Sequence, residues 1–90
     1  MHTTYSPSLK HEDLISLSEA AAFYEHRSGH RPSSSTVFRH ARRGVKARTG
    51  ERIRLEHLRI GGRIFTSREA IERFWNELAE ADAVHFAATN

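Results

Sequence analysis

Ninety residues with a net charge of +3, 38% apolar content and no cysteine fit one small domain. They exclude a disulfide scaffold and a thiolate metal site, and a reducing cytoplasm suits such a chain. No apolar run approaches the ~20 residues of a membrane span, and Met1–Tyr5 lacks the basic-then-apolar layout of a secretory leader, so no membrane role is expected.

Residues 1–13 are polar, include Ser6-Pro7-Ser8 and show no periodicity, which predicts a flexible arm. A helix is announced by Ser16-Leu17-Ser18-Glu19, a capping box in which Ser16 and Glu19 satisfy each other's backbone N–H groups. Ile15 is placed to staple onto Ala20, and Leu17, Ala20, Ala21 and Tyr24 mark one helical face. The pattern fades near Glu25, and a long connection runs to Pro32.

A second helix is expected after Ser33, its N-cap. Val37 and Ala41 point inward, helped by Ser34 and Phe38. Ser35, Thr36, Arg39, His40, Arg42 and Arg43 point outward. Gly44 stands where a positive-φ residue closes a helix. Lys46 to Glu51 reads as a polar loop with a turn at Thr49-Gly50. The alternation of Ile53, Leu55, Leu58 and Ile60 slips near His57, predicting a bulge or strand break there. Gly61-Gly62 signals a hairpin turn, with Ile64 and Phe65 on the return strand.

The last helix opens on a second capping box, Thr66-Ser67-Arg68-Glu69, and spaces Ile71, Phe74, Trp75 and Leu78 along one face. It is expected to end near Ala81 or Asp82, leaving a tail from Ala83 to Asn90. The fold class is therefore mainly α with a small β-hairpin (α+β), in the order helix-helix-hairpin-helix over residues 14–82. That order is the one a winged helix-turn-helix requires.

Charge is unevenly distributed. From Arg39 to Arg63, nine Lys/Arg face only Glu51 and Glu56, a balance of +7. From Glu69 to Asp82 the balance is −4. A basic middle beside an acidic end suits a polyanion on one side, with the acidic last helix turned away.

The stretch Ile15-Ser16-Leu17-Ser18-Glu19-Ala20-Ala21 resembles the opening of excisionase-type and MerR-type winged helices. Ser35-Thr36-Val37-Phe38-Arg39-His40-Ala41-Arg42-Arg43-Gly44 resembles their recognition helix. Arg59-Ile60-Gly61-Gly62-Arg63-Ile64-Phe65-Thr66-Ser67-Arg68-Glu69-Ala70 resembles their wing and final helix. Together the pieces span roughly residues 14–76. The resemblance implies DNA contacts from Ser35, Thr36, Arg39 and Arg43 on the helix and from Arg59 and Arg63 on the wing.

Chemistry agrees with that implication. Arg39 and Arg43 lie one helical turn apart and suit guanine edges or phosphates. Ser35 and Thr36 sit near a helix N-terminus, where hydroxyl and N–H groups hold phosphate or simply cap the helix. Arg59 and Arg63 flank the Gly61-Gly62 turn and reach phosphate or a minor groove, unless they only protect an exposed strand edge. Arg48, Arg52 and Arg54 add affinity for the phosphate backbone.

The expected partner is double-stranded DNA, bound by a small excisionase-like recombination directionality factor or transcription regulator of the bacterial cytoplasm and nucleoid. A lone module buries little interface, so a homodimer, cooperative assembly, or a recombinase or other protein partner would add affinity. The alternative is a protein-interaction module that keeps the fold without a DNA role. An enzyme is not expected, because no phosphate loop and no nucleophile–base signature occurs. Seven histidines lack the acidic or thiolate partners of a zinc set, so neither metal nor cofactor is expected.

Overall fold

A computed structural model of the chain describes residues 7–89. Residues 1–6 of the expected arm lie outside the described part. The rest of it is structured: Pro7–His11 forms a 3-10 turn and Leu9 is fully buried. Burying one leucine is worth about 1.5–3 kcal/mol. Glu12 adds a polar anchor by accepting a 2.6 Å hydrogen bond from the Ser67 hydroxyl. One apolar residue among polar ones carries no periodicity, so the sequence pattern could not show this docking.

Strand β1, Leu14–Ser16, leads into helix α1, Leu17–Ser28. The capping box forms as expected: the Glu19 N–H donates to Ser16 Oγ at 3.1 Å, and the Ser16 N–H donates to Glu19 Oε1 at 2.9 Å. The helix runs almost a turn beyond Glu25, which shortens the connection to Gly29–Ser33. The extra residues are exposed and give no apolar signal. Arg27 holds them from outside, pairing with Glu72 and lying over the Trp75 ring.

Helix α2 is Ser34–Arg42, with Ser33 accepting from the Thr36 N–H at 3.1 Å as N-cap. Gly44 follows at φ 81°, its N–H bonded to Arg39 O. A Cβ there would lie 2.5 Å from the Ile53 carbonyl oxygen, so only glycine fits. Strands β2, Val45–Lys46, and β3, Arg52–Ile53, pair antiparallel across the Thr49-Gly50 turn. The expected polar loop is thus a small hairpin.

The chain then leaves the ladder from Arg54 to His57, where Leu55 is fully buried and its N–H donates to His40 O at 3.0 Å. The parity slip at His57 is this strand break. Strands β4, Leu58–Ile60, and β5, Arg63–Ser67, form the expected hairpin around Gly61-Gly62. Both glycines have positive φ, as the common two-residue hairpin turn requires. On its other edge β5 pairs with β1, giving the sheet order β1-β5-β4. The third strand is too short to alternate visibly, and its partner is remote in sequence.

Helix α3, Arg68–Thr89, closes the fold. Its cap differs from expectation. Ser67, not Thr66, accepts from a helix N–H, that of Ala70 at 2.9 Å, while the Thr66 hydroxyl donates to Glu56 O. Pairing with Ile15 keeps Thr66 extended in β5, so the helix starts one position later. The helix also continues past Asp82, because an alanine-rich stretch without Gly or Pro offers no stop. The result is an α+β fold of three helices and short antiparallel strands among the described residues. Ala20, Ala21 and Tyr24 of α1, Val37 and Ala41 of α2, and Ala70, Ile71 and Phe74 of α3 share one core with Leu9, Ile15 and Leu55. No described helix is long and apolar enough to cross a membrane.

Candidate nucleic-acid interface

The inward stripe of α2 fixes what its outward side presents. Val37 and Ala41 are buried, so at 100° per residue Ser35, Arg39 and Arg42 occupy the opposite face. All three are exposed, as is Arg43. Thr36 sits at the flank of the helix, its hydroxyl 3.1 Å from Ser33 Oγ and accepting from Arg39 at 3.4 Å. It therefore belongs to the cap as much as to the surface.

His40 departs from the sequence-based expectation. It points inward, sharing a 2.9 Å hydrogen bond with the Tyr24 hydroxyl and lying between the Tyr24 and Phe74 rings. The wheel places it on a flank of the Val37–Ala41 stripe, and the Tyr24 and Phe74 rings cover that flank. Burial, reinforced by the Arg39 charge, holds its imidazole below the ordinary histidine range, so the neutral form is favoured. Burial likewise pushes the Tyr24 hydroxyl well above its usual value. His40 is a half-buried seam between α1, α2 and α3.

Phe38 departs in the opposite direction. Expected to help the core, it is left 36% exposed and lines a surface cleft with Ala41 and Ile64. It lies on the other flank of the buried stripe, at the same angle from its centre as His40, and borders an open cleft on that side.

The β4–β5 hairpin stands beside this side of α2. Phe38, Ala41 and Arg42 face Arg59, Gly62 and Ile64 across an open cleft of about 360 Å³, with His57 at its margin. The pairing register explains which hairpin residues enter it. Arg59 opposes Ile64, and Ile60 opposes Arg63, so the two pairs project from opposite faces of the ladder. Arg59 and Ile64 face α2. Arg63 lies over the Phe65 ring and borders a second cleft with Ser16, Leu17 and Ser18 at the start of α1, a cleft that Ile64 also lines. The two hairpin arginines therefore border different clefts.

Charge pairing separates the cations into two groups. Arg27, Arg31 and Arg73 are bound to carboxylates. Arg52 donates to the carbonyl oxygens of Arg43 and Gly44 and so caps the end of α2. Among the described residues, no salt bridge engages Arg39, Arg42, Arg43, Arg54, Arg59 or Arg63. Surface ion pairing therefore does not account for them.

The acids collect elsewhere. Glu77 and Glu80 of α3 line two further clefts with Glu51 and Glu56, and neither shares a residue with the arginine cleft. Burial and the neighbouring Glu56, Glu51 and Glu80 raise the Glu77 carboxyl above its usual value. Arg73 bridges Glu12 and Glu56 at 2.7 Å each, and its hydrogen bond lowers the Glu12 pKa. Among the described residues, no three His, Asp or Glu side chains are grouped to hold a metal ion.

A family model described as a protein of unknown function, DUF1580, matches residues 18–78, which run from α1 through the Leu78 turn of α3. No curated protein and no solved structure matches the chain.

Proposed function

We propose that this chain, which belongs to the DUF1580 family, binds duplex DNA through α2 and the β4–β5 hairpin, in the manner of a winged helix-turn-helix. One observation carries the reading: arginines of two elements that carry no carboxylate partner border one open cleft, on a surface that the acidic clefts do not share. In this reading α1 braces α2, and α2 enters a major groove about 12 Å wide. Arg39 and Arg42 reach base edges or phosphates there, with Ser35 toward the helix N-terminus. Arg59 holds the strand that crosses the cleft, and Arg63 extends the contact beyond the hairpin tip. No covalent step is part of the role. The protein marks DNA for another factor, as a recombination directionality factor or transcription regulator.

Six unpaired arginines release counterions on binding, so log–log salt dependence approaches a slope of about −5 if all contact phosphate. Anisotropy of a labelled duplex, titrated from low to physiological salt, measures it. Replacing Arg39, Arg42 or Arg59 with alanine should lower the slope by about 0.9 each without changing the melting temperature. Absence of binding at low salt would refute the proposal. A stable complex with a protein partner, indifferent to all three substitutions, would favour the protein-interaction reading.

A further inference from the structure

The large apolar side chains left exposed among the described residues are Phe38, Ile60 and Val84. Phe38 is the one among them that stands on the outward side of α2, between Val37 of the core and Arg39 of the surface. It is 36% exposed and stacks on no other described ring. Its neighbours around the cleft are Arg42 and Arg59 together with the apolar Ala41 and Ile64. The fold therefore leaves part of a phenyl ring exposed at a cationic surface.

Resting on the DNA-binding reading above, we infer that Phe38 is a specificity residue that seats the C5-methyl group of a thymine in the major groove. The argument is one of chemical complementarity. Two arginines, Arg42 and Arg59, border the site and favour a polyanion. Within the major groove, base edges display hydrogen-bond donors and acceptors almost everywhere. The thymine methyl is the apolar group among them. A phenyl ring has no hydrogen bond to offer, so it loses affinity against every other edge and gains it against that one. Phe38 sits on the side of α2 nearest the hairpin, next to Arg42 one turn on. A thymine it reads then lies beside the base or phosphate that Arg42 holds.

The test uses the full chain and a duplex selected by it from a random pool. Each thymine is replaced in turn by deoxyuridine, which removes the methyl and keeps the pairing and the O4 acceptor. At one or two positions affinity should fall about four-fold per methyl. Phe38→Ala should bind the thymine and uracil duplexes equally, and Phe38→Leu should retain part of the difference. Thermal melting checks that both variants fold. If Phe38→Ala does not, the wild-type comparison and Phe38→Leu decide. The inference fails if uracil is accepted at every position, if the selected duplexes lack thymine, or if Phe38→Ala keeps the full preference. A chain that binds no duplex at low salt overturns the DNA-binding reading itself. A chain that binds but ignores the methyl overturns only the role of Phe38.

Discussion

Gly44→Ala and Gly29→Ala form a matched pair that tests how α2 is seated. Both glycines follow a helix, at φ 81° and 80°, so an alanine at either position suffers the same left-handed backbone penalty, about 1 kcal/mol. They differ in surroundings. A Cβ at Gly29 meets nothing within 4 Å. A Cβ at Gly44 meets Ile53 O at 2.5 Å and Arg54 Cγ at 2.8 Å. The arginine carbon can swing away, but the carbonyl oxygen belongs to β3 and cannot move without disturbing the β2–β3 ladder. Overpacking of that kind costs about 1–3 kcal/mol. Gly44→Ala should therefore lose roughly 2–4 kcal/mol and Gly29→Ala about 1 kcal/mol. Each kcal/mol shifts the melting midpoint of a domain this size by about 4–8 °C. Thermal and urea denaturation followed by circular dichroism separates the two variants. Equal losses would refute the account of Gly44 as a close-approach site and leave only the φ requirement.

Two further outcomes follow from half-buried polar groups. His40 titrates below its ordinary value of 6.5 in the folded chain, so the unfolded chain takes up a proton first as pH falls. The stability this contributes is complete above 6.5 and declines below it. Urea midpoints measured between about pH 7.5 and 5 should show that decline, and His40→Phe should flatten it; a level wild-type curve would contradict the inward placement. Glu12 also titrates below its ordinary value of 4.5, so its contribution is present above 4.5 and lost below it. Glu12→Gln should cost about 1 kcal/mol at neutral pH, the exposure of Arg73 screening the pair, and should weaken the acid limb of the same titration. An unchanged midpoint would show that the segment before β1 is held by Leu9 alone.

The candidate site was legible in the sequence as far as local periodicity reaches. The outward stripe of Ser35, Arg39 and Arg42 follows from Val37 and Ala41 facing in. The same wheel puts His40 and Phe38 at equal angles on the two flanks of that stripe, so angle alone does not say which of them is covered. The sequence reading sorted both by polarity. A histidine satisfied by a tyrosine hydroxyl is compatible with a core, and a phenylalanine can be left outside one. Which arginines are spoken for was not legible at all. Arg52 and Arg73 resemble Arg54 and Arg59 in sequence. Their carbonyl and carboxylate partners come from other elements.

What the sequence alone determined was local: the Ser16–Glu19 capping box, the Ser33 cap, Gly44 at the end of α2, the Gly61-Gly62 turn and the break near His57. Each depends on hydrogen bonds or φ angles within a few residues, and these act on any chain carrying those residues. Tertiary structure decided the rest. It docked Leu9 and Glu12, made a strand of Leu14–Ser16, shifted the last cap from Thr66 to Ser67, and set Arg59 and Arg63 on opposite faces of one hairpin. These outcomes depend on pairing and burial between segments far apart in the chain. No window of neighbouring residues contains that information.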